Sequence, residues 1–400
     1  MESKLEENLQ LLPSDELLLR IARIRKYMEE AKLDYILVGD NANLYYLTGR
    51  VFCGYVLVDK DGNVDYFLRR PSTLKGDGAT VYHRLDEMTT QVAEALRQNP
   101  GTLGLTLDDT PYSMIERLLK GLEMKEVPGN ASAVLRKARA VKTDMEIKAM
   151  QMSGIKQTQV YRGIPHLYKE GMTDIEFQIE VERALRLAGC LGQFRCSGSE
   201  MEIYMGNVLT GENADTPSPY DFAMGGAGMS PSLPVGANGT IIKRGKPVMV
   251  DMNGNFTGYM TDMTRCYISG DIPELAAKAN RLSMDICSRL SEMMQPGVEA
   301  KVLYAMAEDM AKEAGMAEYF MGHRHHAGFV GHGVGITINE LPVIAPRSRD
   351  ILSEGNCIAL EPKFVIPGIG AVGVENTYVV RHSGPAERLT NAPEDIQSLT

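Results

Sequence analysis

Four acidic residues stand where acidic residues are costly. Asp251 and Asp262, eleven positions apart, each lie inside an apolar run of the stretch PVMVDMNGNFTGYMTDMTRCYI, residues 247–268. Glu361 follows Ile358-Ala359-Leu360, and Glu375 follows Val372-Gly373-Val374. Burying anions among side chains such as Val248, Val250, Met260 and Met263 is strongly unfavourable unless a cation shares the site. A fifth residue, His332, sits between Gly331 and Gly333. Four carboxylates with one imidazole suit a hard or borderline divalent ion such as Mn, Co, Fe or Zn. Two ions bridged by carboxylates would lie about 3.5–4 Å apart, a geometry that activates water and stabilises a tetrahedral intermediate. Each residue alone has a plainer explanation. A lone strand Asp is usually a turn or cap residue, a lone His after glycine is usually structural, and a buried Glu usually pairs with an Arg, for which Arg265 beside Asp262 is the candidate. The same anomaly repeated in two hairpins favours a metal.

These residues need a scaffold. An Asn253-Gly254 pair between the two apolar runs of residues 247–268 predicts a hairpin turn there, with Asp251 and Asp262 facing each other across it. A second hairpin is expected from CIALEPKFVI and AVGVENTYVV, turning through Pro367-Gly368-Ile369-Gly370. Upstream, a long helix is expected over residues 143–168, broken late by Gly163 and Pro165. Thr173-x-x-Glu176 is a capping box that opens another helix, ending near Gly189. Residues 190–246 read as irregular. Two further helices are expected, one from near Glu274 to about Met294 and one over about 299–314, before the Gly/His-rich GHRHHAGFVGHGVG. Residues 143–382 therefore repeat one order of elements twice: helix, helix, glycine-rich passage, carboxylate-bearing hairpin. Two copies with a period near ~120 residues suggest pseudo-twofold halves around a shared centre rather than a solenoid.

Ahead of this region, residues 14–32 have helical spacing with Ser14 or Asp15 as cap. YILVGD and TLGLTL read as strands, YVLVDKDGNVDYFL as a hairpin turned at Asp61-Gly62, and LDEMTTQVAEALRQN and SMIERLLKGLEM as helices. Strands alternating with helices define a small α/β domain with no catalytic constellation. The boundary is expected at 135/136, giving domains 1–135 and 136–400.

Composition narrows the partners. The chain has 400 residues, enough for two cores, with 44% hydrophobic and 24% charged residues. Its formal charge of -10 excludes the basic footprint that nucleic acids and anionic membranes require. Six scattered cysteines without a CxxC pair fit a reducing compartment. The polar, acidic N-terminal stretch lacks a basic-then-apolar leader, and no run approaches the roughly 20 apolar residues that span a bilayer. A cytoplasmic protein is expected.

The local words around the five residues resemble the pita-bread metallopeptidases, the family of methionine aminopeptidase, Xaa-Pro aminopeptidase, prolidase and creatinase. The words are Asp251 with Tyr259-Met260-Thr261-Asp262-Met263-Thr264-Arg265, Gly331-His332-Gly333, Glu361-Pro362 and Val374-Glu375-Asn376-Thr377. RIARIRKYMEE and NLYYLTG resemble the accompanying creatinase/prolidase-type N-terminal α/β domain, and AVLRKARAVKTDMEIKAM the usual entry into the catalytic domain. The resemblance covers nearly the whole chain. It implies an α/β (α+β) protein with a pita-bread C-terminal domain, homodimeric, and a centre of two divalent ions. By the same resemblance Asp251 holds one ion, His332 and Glu361 the other, Asp262 and Glu375 bridge, and Glu361 is also the general base.

Three positions depart from the family's pattern. Asn339 stands seven residues after His332, where the peptidases carry a histidine in an H-E-x-P word; here the word is Asn339-Glu340-Leu341-Pro342. The window for a second family histidine reads Ser230-Pro231-Ser232-Leu233, and the third position is Gly328. His323, His325 and His326 lie just upstream of it, in what otherwise reads as a solvated polar loop. Asn339 and the loop at 219–240 are therefore the candidates for substrate specificity. The first expectation is hydrolysis of a short Xaa-Pro-like peptide by attack of a metal-bridging water. The second is a small non-peptide substrate, for a creatinase-like enzyme, a cyclic-amide hydrolase or a sulfonium lyase. A non-catalytic binding protein is the third, against which the intact five-residue set argues.

Overall fold

The computed structural model describes residues 7–198, 201–221 and 225–400. The chain divides into two compact units, residues 1–139 and 140–400.

The first unit is built on one six-stranded sheet. Its elements run α1 (Ser14–Ala31), β1 (Tyr35–Val38), α2 (Asn41–Thr48), β2 (Cys53–Asp59), β3 (Val64–Arg70), β4 (Ala79–Val81), α3 (Leu85–Gln98), β5 (Leu103–Leu105), α4 (Tyr112–Gly121), β6 (Gly129–Asn130) and α5 (Ser132–Ala140). The sheet order is β4-β3-β2-β1-β5-β6. β1, β2 and β3 are antiparallel neighbours, and β5 joins β1 in parallel. The β2–β3 hairpin turns at Asp61-Gly62 as its sequence requires, with Gly62 at φ +94°. Helix α1 is capped by Pro13, one residue before the expected Ser14 or Asp15. Proline's fixed φ suits that position and Ser14 makes no capping bond. Leu37, Leu57, Phe67, Leu103 and Leu105 pack on Met88 and Val92 of α3 and Leu118 of α4.

The second unit carries the chemistry. Helix α6 (Asp144–Gly163) ends in a 3-10 turn, Ile164–Leu167, and α7 (Asp174–Leu187) follows. Both open with capping boxes, Thr143 with Glu146 and Thr173 with Glu176. The passage expected to be irregular contains a strand, β7 (Gly206–Thr210). Its neighbours β8 (Pro247–Asn255) and β9 (Met260–Ile268) form a long antiparallel ribbon. Next come α8 (Glu274–Met293), α9 (Ala300–Glu313), β10 (Gly331–Gly333), β11 (Glu340–Ile344), β12 (Cys357–Leu360), β13 (Lys363–Ile366), β14 (Gly370–Gly373), β15 (Asn376–Val379), β16 (Glu387–Arg388) and β17 (Gln397–Ser398). The sheets are ordered β17-β9-β8-β7 and β11-β10-β12-β15-β16, with β13-β14 as a separate pair. Helix–helix–ribbon thus occurs twice, the pseudo-twofold order of elements.

The first hairpin does not turn at Asn253-Gly254. Both residues are paired within the ribbon, Asn253 opposite Asp262 and Gly254 opposite Thr261. The turn lies at 256–259, where Gly258 takes φ +89° and its N–H donates to Asn255 Oδ1 at 3.0 Å. Gly254 is glycine for space: a Cβ there would lie 2.5 Å from Gln157 Oε1 and 2.6 Å from Thr261 Oγ1. The second hairpin turns as expected, with Gly368 at φ +74°. It is nevertheless split, because β12 pairs with β15 while β13 pairs with β14. The split falls at Glu361-Pro362 on one strand and Val374-Glu375 on the other. Proline cannot donate to a ladder. The Glu361 N–H donates instead to Val330 O at 3.0 Å, and the Glu375 N–H to Thr264 O at 3.2 Å.

Alternation along the first ribbon separates two cores. Val248, Val250, Met252 and Met263 pack with Tyr161 of α6 and Phe177 and Val181 of α7. Met249 and Cys266 face the other way, into a core with Ile286 and Leu290 of α8, Leu303 of α9, and Val372 and Val374. Asp251 and Asp262 belong by strand parity to this second face. Their apolar sequence neighbours Val248 and Val250 therefore lie on the opposite side of the sheet.

Candidate metal centre

The register places Asp251 opposite Thr264 and Asp262 opposite Asn253. The two aspartates are thus diagonal neighbours on one face rather than a directly opposed pair. The second hairpin meets that face: the Asp262 N–H donates to Thr377 Oγ1 at 2.8 Å, and Thr377 Oγ1 donates to Asp262 O at 3.0 Å. The breaks in the second hairpin aim Glu361 and Glu375 inward, and β10 delivers His332. All five candidate residues converge. Ligand atoms of Asp262, His332 and Glu375 lie within 4.8 Å of one another, and so do those of Asp251, Glu361 and Glu375.

The cation in the second of these groups is a side chain. Lys363 Nζ donates to Asp251 Oδ2 at 2.8 Å, to Glu361 Oε2 at 2.7 Å and to Glu375 Oε2 at 3.0 Å. Its side chain is 1% exposed. Sequence reasoning missed it, although the signal was there. Lys363 opens the apolar strand KFVI two residues after Glu361, a spacing that returns a strand side chain to the same face. Arg265, the candidate partner under the plainer explanation, serves elsewhere. Strand alternation turns it away from Asp262, and its guanidinium donates to Thr264 O at 2.7 Å, Glu375 O at 2.8 Å, Ala392 O at 2.9 Å and Asn376 Oδ1 at 2.7 Å. It ties the backbones of the two hairpins together and leaves the carboxylates free.

The first group has no such filling. Thr264 Oγ1 donates to Glu375 Oε2 at 2.7 Å, whereas buried Glu375 Oε1 has no hydrogen-bond partner among the described residues. An orphaned anionic oxygen in a dry site is costly, and a cation beside it removes the cost. His332 contributes from the same side. Its Nδ1 lies 3.0 Å from Gly333 O, which holds the ring by one nitrogen and leaves Nε2 aimed inward, 3.3 Å from Glu361 Oε1. The chemistry of this donor set fits one divalent ion at Asp262, His332 and Glu375. The Asp251–Glu361–Glu375 side is already taken by an ammonium.

The electrostatics follow from that arrangement. Burial alone would lower the Lys363 pKa, but Asp251, Glu361 and Glu375 override it and hold it well above its ordinary value. Burial would raise Glu361, yet Lys363 and His332 pull it below the usual carboxylate range. Glu375 goes up, because burial and the charges of Glu361 and Asp251 outweigh Lys363. Asp262 goes up as well, through burial and the neighbouring Glu375 and Asp251. Burial would lower His332, and Glu361 and Glu375 raise it to about 9.

The other candidates lie apart from the cluster or are already engaged. Asn339 Oδ1 accepts from the Ser197 N–H at 2.7 Å and Asn339 Nδ2 donates to Ser197 O at 3.1 Å, so both polar ends clamp the 190–198 passage. Glu340, beside it, is buried and paired with Lys142 at 2.8 Å. His323 Nδ1 lies 3.3 Å from Asp215 Oδ2, and His326 Nδ1 lies 2.9 Å from Phe320 O. His325 lines a small recess with Asp215, Ser218 and Tyr220. At the third family position, the Gly328 N–H donates to Asp221 Oδ1 at 3.0 Å. In the loop at 219–240, residues 222–224 lie outside the described residues; Ser230 and Ser232 bond each other through their hydroxyls at 3.0 Å. Among the described residues, no helix is long and apolar enough to cross a membrane.

Two ribbon-and-helix-pair halves closing on a carboxylate–histidine cluster, in a chain that also carries a separate N-terminal α/β unit, define a pita-bread hydrolase. Comparison with known proteins agrees. Residues 148–382 match Metallopeptidase family M24 and residues 20–141 match the Creatinase/Prolidase N-terminal domain. The chain belongs to metallopeptidase family M24. It is 27% identical to the Xaa-Pro dipeptidase of Pyrococcus furiosus over 385 residues, covering 94% of this chain and 99% of that one. Its fold matches the Xaa-Pro dipeptidase from Bacillus anthracis with a TM-score of 0.79 at 24% identity, covering 96% of this chain and all (100%) of that one. The N-terminal domain of FACT complex subunit SPT16 from chickpea (Cicer arietinum) also shares the fold, with a TM-score of 0.72 at 12% identity over 96% of this chain and 99% of that one. A shared fold does not fix an activity, and the site must carry the functional argument.

Proposed function

We propose that this chain is a metal-assisted hydrolase of short peptides of the Xaa-Pro class. The observation that carries the reading is the Asp262–His332–Glu375 group with its orphaned Glu375 oxygen. It lies in a chain that aligns over 94% of its length with an Xaa-Pro dipeptidase. A divalent ion bound there supplies Lewis acidity, polarising a carbonyl and making water a nucleophile near neutral pH. Asp262, His332 and Glu375 would hold it. Glu361, kept ionised by Lys363 and His332, would accept the proton of the attacking water. Lys363 fixes the orientation of Asp251, Glu361 and Glu375, and Gly333 O orients the His332 ring. A cytoplasmic homodimer is the proposed setting, by likeness to the family.

One observation favours a second substrate class. Asn339, at the position of a family histidine, is engaged at both polar ends with the Ser197 backbone, and its amide can neither take up nor release a proton as an imidazole can. A compact cyclic amide or amidine that carries its own polar groups would need less from the protein.

Purification without chelator, followed by Gly-Pro and Ala-Pro hydrolysis with added Mn or Co, tests both readings. Cleavage that is lost with a chelator and restored by the ion is expected. Absence of dipeptide cleavage by ion-loaded protein overturns the peptide reading, and turnover of cyclic amides by the same preparation then selects the second.

A further inference from the structure

The resemblance to two-ion peptidases and the charges in this centre disagree, and the disagreement is local. We propose that Lys363 is a built-in cation in place of one of the two metal ions, so that the centre takes a single divalent ion, at Asp262, His332 and Glu375. The proposal rests on the metal-assisted reading above and narrows it to one ion per chain.

Three observations carry it. The first is position. Nζ of Lys363 lies at hydrogen-bond distance, 2.7–3.0 Å, from one oxygen each of Asp251, Glu361 and Glu375. Those carboxylates make up one of the two groups whose ligand atoms converge. A metal ion at the same point would need those oxygens at about 2.0–2.2 Å, with the ammonium gone.

The second is restraint. Lys363 begins β13, where it is paired with Gly373, and its carbonyl accepts from the Met321 N–H at 2.8 Å. Gly373 sits so close that a Cβ there would lie 3.0 Å from Lys363 Cα. These contacts hold the Lys363 backbone in place, and its side chain is 1% exposed. Leaving the centre would strand an ammonium among apolar side chains, the costliest place for it.

The third is asymmetry. Glu375 belongs to both groups, and its two oxygens differ. Oε2 takes Lys363 and the Thr264 hydroxyl, while Oε1 is buried and unpartnered among the described residues. One side of the centre is satisfied by the chain itself and the other needs something more. Charge counting agrees. Four carboxylates bring four negative charges. Lys363 and one divalent ion bring three positive charges, leaving a net charge of minus one. Two divalent ions would leave the centre at plus one with the lysine retained, and would set a divalent ion against an ammonium.

The test is ion stoichiometry. Chelated full-length protein is titrated with Mn(II), bound metal per chain is measured by elemental analysis and calorimetry, and the bound ion is examined by electron paramagnetic resonance. One ion per wild-type chain at saturation, with the hyperfine pattern of an isolated Mn(II), is expected. Lys363→Ala is expected to take two ions, with the exchange-coupled pattern of a pair. Two coupled ions in the wild type, or less than one at saturation, overturn the assignment without any variant. A folded Lys363→Ala protein that still takes one ion also overturns it. Dipeptide cleavage is scored separately. One ion without cleavage defeats the substrate reading and leaves Lys363 in place; two ions with cleavage does the reverse.

Discussion

Replacing Lys363 by Met in the metal-free protein tests how strongly the carboxylates depend on their internal cation. Methionine keeps most of the buried stem and removes only the charge, so packing changes little. Three carboxylates that shared one ammonium at 2.7–3.0 Å are then left without it. Breaking a buried ion pair by deleting one partner costs about 3–5 kcal/mol. For a domain of this size a kcal/mol moves the melting temperature by about 2–4 °C, so a drop of about 6–20 °C is expected. The penalty has a pH signature. The freed carboxylates are buried and mutually repelling, so their folded-state pKa values rise above the unfolded value near ~4. A raised carboxylate pKa means the folded state binds the extra proton, and stability falls as pH rises from the unfolded value to the folded one. In the wild type Glu375 is already raised, whereas Glu361 is held below its ordinary range and contributes stability throughout that window, so the difference between the two proteins reads Glu361 above all. The gap between wild type and variant should therefore be small near pH ~4 and widen toward neutrality. Thermal melts in chelator at about pH 5 and about pH 8 read it directly. An equal gap at both pH values, or one under about 1 kcal/mol, would refute the charge argument and leave only a packing defect.

Glu361→Gln should lower kcat by about 10²- to 10⁴-fold, the usual worth of a general base, while the ion at Asp262, His332 and Glu375 is retained; activity within tenfold of wild type removes Glu361 from that role. Uptake of the ion should release protons. His332 is held protonated up to about 9 and must be neutral to ligate, so affinity should weaken as pH falls, and calorimetric heats at about pH 7 should differ between buffers of different ionisation enthalpy. Buffer-independent heats would contradict that. Gly254→Ala should cost about 1–3 kcal/mol, because its Cβ would meet Gln157 Oε1 at 2.5 Å; an unchanged melting temperature would mean that α6 and the ribbon yield easily. Asn339→Ala removes both bonds to the Ser197 backbone and should speed proteolytic nicking within 190–198; unaltered nicking would show that other contacts hold the passage.

Much of this architecture was legible because burial and periodicity leave marks on a single sequence. The Thr173–Glu176 capping box, the turn at Asp61-Gly62 and the stop near Gly189 are local devices, read where they act. The five converging residues were legible for a different reason: a carboxylate inside an apolar strand contradicts its surroundings, and four such contradictions in two hairpins have a common explanation. The errors come from long-range partners. Asn253-Gly254 has the chemistry of a turn, but Gln157, nearly a hundred residues away in sequence, needs the space that Gly254 leaves. β7 was hidden among glycines and prolines, since a five-residue strand is marked mainly by the ribbon it joins. Arg265 was the candidate partner under the plainer, metal-free explanation because it is near Asp262 in sequence, yet an odd spacing in a strand puts a side chain on the other face. Lys363 has the even spacing from Glu361 that Arg265 lacks from Asp262.

The position of that lysine bears on what the centre is for. Any fold that brings four carboxylates together must be supplied with positive charge, or the acids take up protons instead. An ion from solution supplies it only when the ion is present, and then stability depends on its concentration. A tethered ammonium arrives with the chain and is ordered once β13 is ordered. On the proposal above, Lys363 would let the second unit of this protein fold without metal and would leave the remaining demand, at Glu375 Oε1, to be met separately. Folding and metal loading become distinct events at adjacent points of one cluster. On this reasoning a chelator should abolish turnover and spare most of the structure, whereas loss of Lys363 should damage the structure even before turnover is measured.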